Sequence, residues 1–78
     1  MRKNRTKFHK CLIGLINDQD LDGGVLGLSR ESGIPYDTLQ IRIRKPTSIK
    51  MFEFFNISDT LHLNGEQENK LLESIKEG

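Results

Sequence analysis

Apolar residues return at three- and four-residue intervals in several separate stretches of this chain, which is the spacing of helices that bury one face. The first stretch predicts a helix from about Asn4 to Asn17. The apolar positions of its buried face are Phe8, Cys11, Leu12, Leu15 and Ile16. The acids and glycines of residues 18–24 break the pattern and end this helix.

Two shorter helices separated by a tight turn are predicted next. Helix two extends from about Gly23 to Glu31 with Asp22 as its cap, and helix three extends from about Pro35 to Arg44. Gly33 can adopt the left-handed backbone that ends a helix, and the small Ser29 lets the two helix backbones approach. The apolar residues that two crossed helices would bury together here are Leu28, Ile34, Leu39 and Ile43.

Residues 39–44 alternate apolar and polar side chains, which is also the pattern of a strand. A hairpin or a winged variant is therefore the alternative for this segment. Lys45 and Pro46 follow directly, and a proline disfavours helical backbone in the residue before it, so a helix would end there. Because the chain contains no second clear strand that could pair with this one, a helix is the better interpretation.

The second half of the chain predicts two more helices. Thr47 and Ser48 offer an N-cap for helix four, which extends to about His62. The inner face of helix four is predicted to comprise Met51, Phe54, Phe55, Ser58 and Leu61. Asn64 and Gln67 have the spacing of a capping box at the start of a last helix. The apolar positions of that helix are Leu71, Leu72 and Ile75. The whole pattern predicts an all-α fold, a compact bundle of about five short helices in one domain over residues 1–78.

Charge is distributed unevenly, although the formal net charge over 78 residues is only +1. Residues 1–10 hold five basic side chains and no acid, and residues 30–50 hold five basic side chains against two acids. Residues 51–78 hold two basic side chains against six acids. Such a division suits a protein that presents one face to an anionic polymer. Residues 1–5 are then either a basic arm that contacts this polymer or a disordered tail.

Several classes of protein are excluded by what the chain lacks. Cys11 is the single cysteine, so an internal disulfide framework is excluded and a reducing cytoplasm is expected. No apolar run approaches the roughly 18 residues that span a bilayer, and no signal peptide is predicted. His9 and His62 are isolated, without an acid–base set or a phosphate-binding loop. We therefore expect a cytoplasmic protein with no membrane association, no enzymatic activity, no catalytic residues and no cofactor.

One short motif suggests a metal site. Asp18, Asp20 and Asp22 are spaced as in the first half of an EF-hand calcium loop, with Gly23 at the sharp turn. The twelfth position of such a loop needs a bidentate glutamate, and here it is Ser29. An acidic loop between two helices is the interpretation that we favour, with no metal ligands predicted.

Residues 28–43 follow the pattern Leu-small-x-x-Ser-Gly-Ile-x-x-x-Thr-Leu-x-x-x-Ile. This pattern resembles the helix-turn-helix unit of the lambda-repressor and Cro-like family of phage and bacterial regulators, and the resemblance covers about residues 20–63. It implies a sequence-specific transcriptional regulator of phage or prophage origin. The second helix of the unit, residues 35–44, would then enter the major groove of double-stranded DNA.

Within such a unit, the first turn and the outward positions of the second helix reach the bases. The residues predicted to read bases are Tyr36, Asp37, Gln40, Ile41 and Arg44. Gln40 can pair with adenine through two hydrogen bonds, and Arg44 can do so with guanine. The residues predicted to contact phosphates are Arg30, Arg42, Lys45 and Lys50, together with Arg2, Lys3 and Arg5 of the basic arm.

The aromatic residues of helix four suggest a second surface. One helix cannot turn Phe52, Phe54 and Phe55 onto the same small core, so either neighbouring helices cover them or some mark a contact surface. Phe52 and Phe55 are predicted to contact a second copy of the chain, and a homodimer would match a palindromic operator. The alternative function is a protein that uses this fold to bind and modulate another regulator without binding DNA itself. The low net charge and Val25 keep that alternative open, because the family often has a polar phosphate-contacting residue at the position of Val25.

Overall fold

Short helices joined by tight turns make up the protein, as seen in a computed structural model that describes residues 6–77. The helices are α1 (Lys7–Asp18), α2 (Gly24–Ser32), α3 (Tyr36–Arg44), α4 (Met51–Leu61) and α5 (Gly65–Glu77), with a 3₁₀ turn at Pro46–Ser48. Residues 6–77 contain no strand, and 39–44 lie within α3. The predicted all-α class and the helical interpretation of this segment are therefore confirmed.

The core is a single cluster to which every helix contributes. α5 packs mainly against α1, and α2 packs against α1, α3 and α4. The buried apolar residues are Phe8, Leu12, Ile16, Leu28, Ile34, Leu39, Ile43, Phe54, Ile57, Leu61 and Leu71. Cys11, Leu15 and Ile75 are half-buried at its edge, whereas Leu72, predicted as an apolar position of the last helix, is exposed.

Thr6 determines where α1 begins and joins it to α3. Its Oγ1 accepts a hydrogen bond from the His9 N–H at 3.0 Å and donates one to the Ile43 carbonyl at 3.1 Å. The predicted start at Asn4 is therefore too early, because Thr6 has extended backbone (ψ 162°) and acts as the N-cap.

The start of α2 differs from the prediction. The Asp22 side chain does not cap the helix; the N-cap is Gly23, with φ 87° and no side-chain cap. The backbone of Asp22 instead lies against Gly27, where a Cβ atom would fall 1.8 Å from the Asp22 carbonyl oxygen. Gly27 is thus required by this close approach of two backbone segments.

The turn between α2 and α3 agrees with the prediction. Gly33 adopts left-handed backbone (φ 80°), and its N–H donates to the Ser29 carbonyl. Pro35 precedes the first residue of α3 and accepts a hydrogen bond from the Leu39 N–H at 2.9 Å. The Ser29 hydroxyl also donates to the Ile34 carbonyl at 2.6 Å, so this buried serine supports the turn by a hydrogen bond and not only by being small.

The predicted start and inner face of α4 are partly wrong. Thr47 and Ser48 belong to the 3₁₀ turn, and the helix begins only at Met51. Met51 and Phe55 are exposed, and two residues not predicted to face the core, Glu53 and Ile57, are buried instead. Phe54, Ser58 and Leu61 are buried as expected. The buried side of α4 therefore differs from the predicted one and includes Glu53, whose charge is paired inside the fold.

The connection from α4 to α5 is built from several hydrogen bonds. α4 ends at His62, which has left-handed backbone (φ 52°). The predicted capping box is confirmed: the Gln67 N–H donates to Asn64 Oδ1 at 2.8 Å, and the Asn64 N–H donates to Gln67 Oε1 at 3.0 Å. The buried Ser58 hydroxyl donates to a carboxylate oxygen of Glu68, which ties α4 to the first turns of α5.

Candidate nucleic-acid interface

The outward side of α3 is a polar and exposed surface. Leu39 and Ile43 point into the core and hold the helix against it, because both are buried. The side chains predicted to read bases lie on the remaining surface: Tyr36, Asp37, Ile41 and Arg44 are exposed, and Gln40 is half-buried. All five predicted base-reading residues therefore lie on one helix that is anchored on its opposite side.

Two of these side chains are joined. The Gln40 Nε2 donates to the Tyr36 hydroxyl oxygen at 2.6 Å, across one turn of the exposed helix surface. Residues four apart in a helix lie directly above one another, so this contact is compatible with regular α-helical backbone. The side chain of Gln40 is therefore restrained by Tyr36 before any ligand is present.

Arg42 has a different position from the one predicted. Its Nε donates to Glu53 Oε1 at 2.8 Å and its Nη2 to Glu53 Oε2 at 3.3 Å, and the side chains are 18% and 5% exposed. A guanidinium that pairs with a buried carboxylate through two hydrogen bonds is directed away from solvent. Arg42 therefore forms a structural link between α3 and α4, and this link occupies the guanidinium that the sequence predicts to contact phosphate.

Glu53 is also held by the backbone at the start of α4. The Lys50 N–H donates to Glu53 Oε1 at 2.9 Å. Burial by itself raises the pKa of Glu53, but the hydrogen bonds from Arg42 and from the Lys50 backbone, with the positive charges of both residues, outweigh it. The pKa of Glu53 is therefore below its ordinary value, and the carboxylate stays ionised at neutral pH.

The other cations predicted to contact phosphates divide into two groups. Lys45 follows the last residue of α3 and Lys50 precedes the first residue of α4, and both are exposed next to the predicted reading surface. Arg30 instead borders a shallow depression of about 780 Å³ with Asp20, Asp22, Glu31 and Asp59 among the lining residues. Those acids make Arg30 a weaker candidate for binding phosphate. Arg2, Lys3 and Arg5, with the rest of the basic arm, lie outside the described residues.

A second surface, the α4–α5 apolar surface, comprises Met51, Phe52, Phe55 and Leu72. The first three are 71%, 60% and 52% exposed. It borders a groove of about 210 Å³ between the 3₁₀ turn, α4 and α5, lined by Ile49, Phe54 and Ile75 as well as by Met51 and Leu72. Phe54 is the phenylalanine of α4 that the fold covers, and its ring contacts that of Phe55 edge-on at a centroid distance of 6.0 Å. Neighbouring helices thus leave Phe52 and Phe55 uncovered.

The acidic loop before α2 contains the other candidate site. Asp18 is the last residue of α1, and Asp20 has left-handed backbone with φ 55°. Within residues 6–77, no three histidine, cysteine, aspartate or glutamate side chains are grouped closely enough to hold a metal ion.

None of the helices within residues 6–77 combines the length and apolar character needed to cross a bilayer.

Some residues of this region were missed from the sequence. Glu53 was not singled out, although a glutamate at the third position of a helix is a recognisable capping signal. The hydroxyl of Thr6, which reaches the end of α3, carries no comparable signal because its partner is a backbone carbonyl 37 residues away.

Comparison with known proteins yields no relative: no family model, no curated protein and no solved structure matches this chain significantly. The resemblance carried by residues 28–43 therefore stays a prediction.

Proposed function

We propose that the protein is a sequence-specific DNA-binding transcriptional regulator of phage or prophage Cro or repressor type, and that α3 reads the major groove. The observation that supports this most directly is the composition of α3. Its inner side chains are buried, and its outer side presents Tyr36, Gln40 and Arg44. Hydrogen-bonding and cationic side chains on an exposed, rigidly held helix are what base reading in the major groove requires.

The surroundings of α3 support the same proposal. α2 ends at a left-handed glycine and is followed after a short turn by α3, as in a helix-turn-helix unit. Lys45 and Lys50 flank the reading surface at the end of α3 and the start of α4, where phosphates of the same groove would lie. The protein would act in the cytoplasm by occupying an operator, without a cofactor.

The test is selection of bound sequences from a random pool of duplex DNA, followed by fluorescence-anisotropy titrations of the selected site at several salt concentrations. The wild-type protein should prefer the selected site to a scrambled duplex, and its binding should weaken steeply with salt. The double variant Gln40→Ala with Arg44→Ala should lose at least about tenfold in affinity for the selected site, since each reading contact contributes on the order of 1–3 kcal/mol.

Lys70→Ala is the matched control, because Lys70 is an exposed cation of α5, which packs mainly on α1. It should change affinity for the selected site by less than twofold. If the protein shows no salt-dependent preference for any selected site, or if the double variant binds as the wild type does, the proposed function is wrong.

The exposed Phe52 and Phe55 favour a second element of the proposal, a homodimer formed through the α4–α5 apolar surface. They also support the alternative function, in which this surface binds another regulator and the protein does not bind DNA. Sedimentation velocity separates these cases when it is combined with the DNA titrations. Phe55→Ser should convert a dimer to a monomer and weaken binding to a palindromic site. Absence of DNA binding, with a partner regulator retained at moderate salt and lost on Phe52→Ser, would establish the alternative.

A further inference from the structure

We propose that Tyr36 and Gln40 read DNA as one unit, in which Tyr36 is a positioning residue that holds the Gln40 side chain in the rotamer that reads a base. This inference rests on the proposed function and specifies how part of the reading surface would achieve sequence preference. The observation behind it is the hydrogen bond from Gln40 Nε2 to the Tyr36 hydroxyl oxygen, which is 2.6 Å long and lies on the exposed side of α3.

The hydrogen bond determines what Gln40 can offer a base. A glutamine amide has two N–H donors on Nε2 and one acceptor, Oε1. One N–H is used by Tyr36, so one donor and one acceptor remain. Adenine presents the complementary pair in the major groove, with N7 as an acceptor and the N6 amino group as a donor. The amide of Gln40 is thus left with the groups that recognise adenine.

Tyr36 restricts the amide further. An unrestrained exposed glutamine side chain samples several rotamers. The hydrogen bond to the Tyr36 hydroxyl opposes this motion, so part of the entropy of fixing the Gln40 side chain is lost before binding.

Two features of the fold keep the unit in place. Tyr36 is in the first turn of α3, directly after Pro35, and the half-buried Gln40 lies beside the buried Leu39. The two side chains therefore start from backbone that is anchored in the core.

The inference is tested by a double-mutant cycle on the selected DNA site with Tyr36→Phe, Gln40→Ala and both together. Tyr36→Phe keeps the ring and removes only the hydroxyl. It should weaken binding to the selected site by about three- to tenfold, the range of one hydrogen bond, and reduce the preference for adenine at the base read by Gln40. Affinity for a scrambled duplex should be unchanged. In the Gln40→Ala background, the same change should have less than a twofold effect.

The side-chain amide resonances of Gln40, measured by ¹⁵N NMR in the free protein, provide a reading that does not depend on DNA. They should shift on Tyr36→Phe and stay unchanged on Lys70→Ala. If the effects of Tyr36→Phe and Gln40→Ala on DNA affinity are independent, the unit is overturned while the DNA-binding function stands. If the wild-type protein has no sequence preference, the proposed function is overturned and the reading unit with it.

Discussion

Two corners of the molecule, each a pair of helices with the turn that joins them, have similar backbone geometry but are stabilised by different groups. The first corner is α2, residues 33–35 and α3, and the second corner is α4, residues 62–64 and α5. Each begins with a left-handed residue, Gly33 (φ 80°) in the first corner and His62 (φ 52°) in the second. Each also contains a buried serine, Ser29 or Ser58, whose hydroxyl crosses the turn.

The difference lies in the groups that complete each corner. Ser29 donates to a backbone carbonyl and Gly33 needs no side chain, so the first corner is closed by backbone and small residues. The second corner uses side-chain partners, including Glu68 and the capping box of Asn64 with Gln67. Closing the first corner therefore uses no polar side chain of α3, whereas the second corner uses the polar side chains of Asn64, Gln67 and Glu68 internally.

The largest expected effect on stability comes from replacing a glycine of the first corner by alanine, and it is compared with the same change in the second corner. Gly27→Ala should lower the free energy of unfolding by about 3 kcal/mol, because the new Cβ would fall 1.8 Å from the Asp22 carbonyl oxygen and the backbone must move. Gly65→Ala is the matched change in the second corner, where no atom lies within 4 Å of the new Cβ. It should leave stability unchanged or raise it by up to about 0.5 kcal/mol. Urea unfolding followed by circular dichroism measures both.

If Gly27→Ala and Gly65→Ala lower the free energy of unfolding equally, the nearby Asp22 backbone is not the reason for a glycine at position 27. The two corners would then not differ in this respect.

The next effect concerns the ion pair that joins the two corners. Glu53→Gln should lower the free energy of unfolding at pH 7 by about 2 kcal/mol, since hydrogen bonds to a charged partner contribute about 1.5–3 kcal/mol. The amide oxygen of the substituted side chain would still be able to accept from the Lys50 N–H, so the loss isolates the charged contact with Arg42. Urea unfolding of both proteins across a pH series measures this loss.

The direction of the pH dependence follows from the pKa of Glu53, which is lower in the folded protein than its ordinary value. Its stabilising contribution is complete above the pKa of an unfolded glutamate, about 4.3, and is lost as the pH falls through the lower pKa of the folded state. The difference between wild type and Glu53→Gln should therefore shrink on acidification. A difference that is constant from pH 7 to pH 3 would contradict the assigned role of the carboxylate.

The smallest effects compare the left-handed residues directly. Gly33→Ala should cost about 1 kcal/mol, because a Cβ atom is unfavourable in left-handed backbone. His62→Gly should raise the free energy of unfolding by up to about 1 kcal/mol, because it relieves the same unfavourable conformation. Thermal unfolding of both variants measures the two effects. A loss of stability on His62→Gly would mean that the histidine side chain contributes contacts that outweigh its backbone conformation.

Prediction from the sequence succeeded where local signals and apolar spacing agreed. In the first corner, Gly33, Pro35 and the buried pair Leu39 and Ile43 all favour the same turn and the same helix register. The Asn64 and Gln67 capping box was predictable for the same reason, since both partners are close in sequence and have a defined spacing.

Prediction failed where a distant partner changes the meaning of a residue. A glutamate in a helix is normally solvent-exposed, and the apolar spacing of α4 predicted an inner face that contained Phe55 and not Glu53. Arg42, 11 residues earlier, makes the buried position of Glu53 favourable. The same pairing occupies the guanidinium of Arg42, which the sequence predicts to contact phosphate. The base-reading residues were placed on one surface, but the hydrogen bond between Tyr36 and Gln40 requires rotamers that spacing alone does not specify.

The double role of Thr6 has a practical consequence for handling the protein. Its hydroxyl connects the first turn of α1 to the end of α3. Thr6 itself therefore lies beside the carboxyl end of the helix that carries the exposed Tyr36 and Gln40. An affinity tag or cleavage scar placed immediately before residue 6 would adjoin that helix, so binding measurements are better made with tags at the carboxyl end.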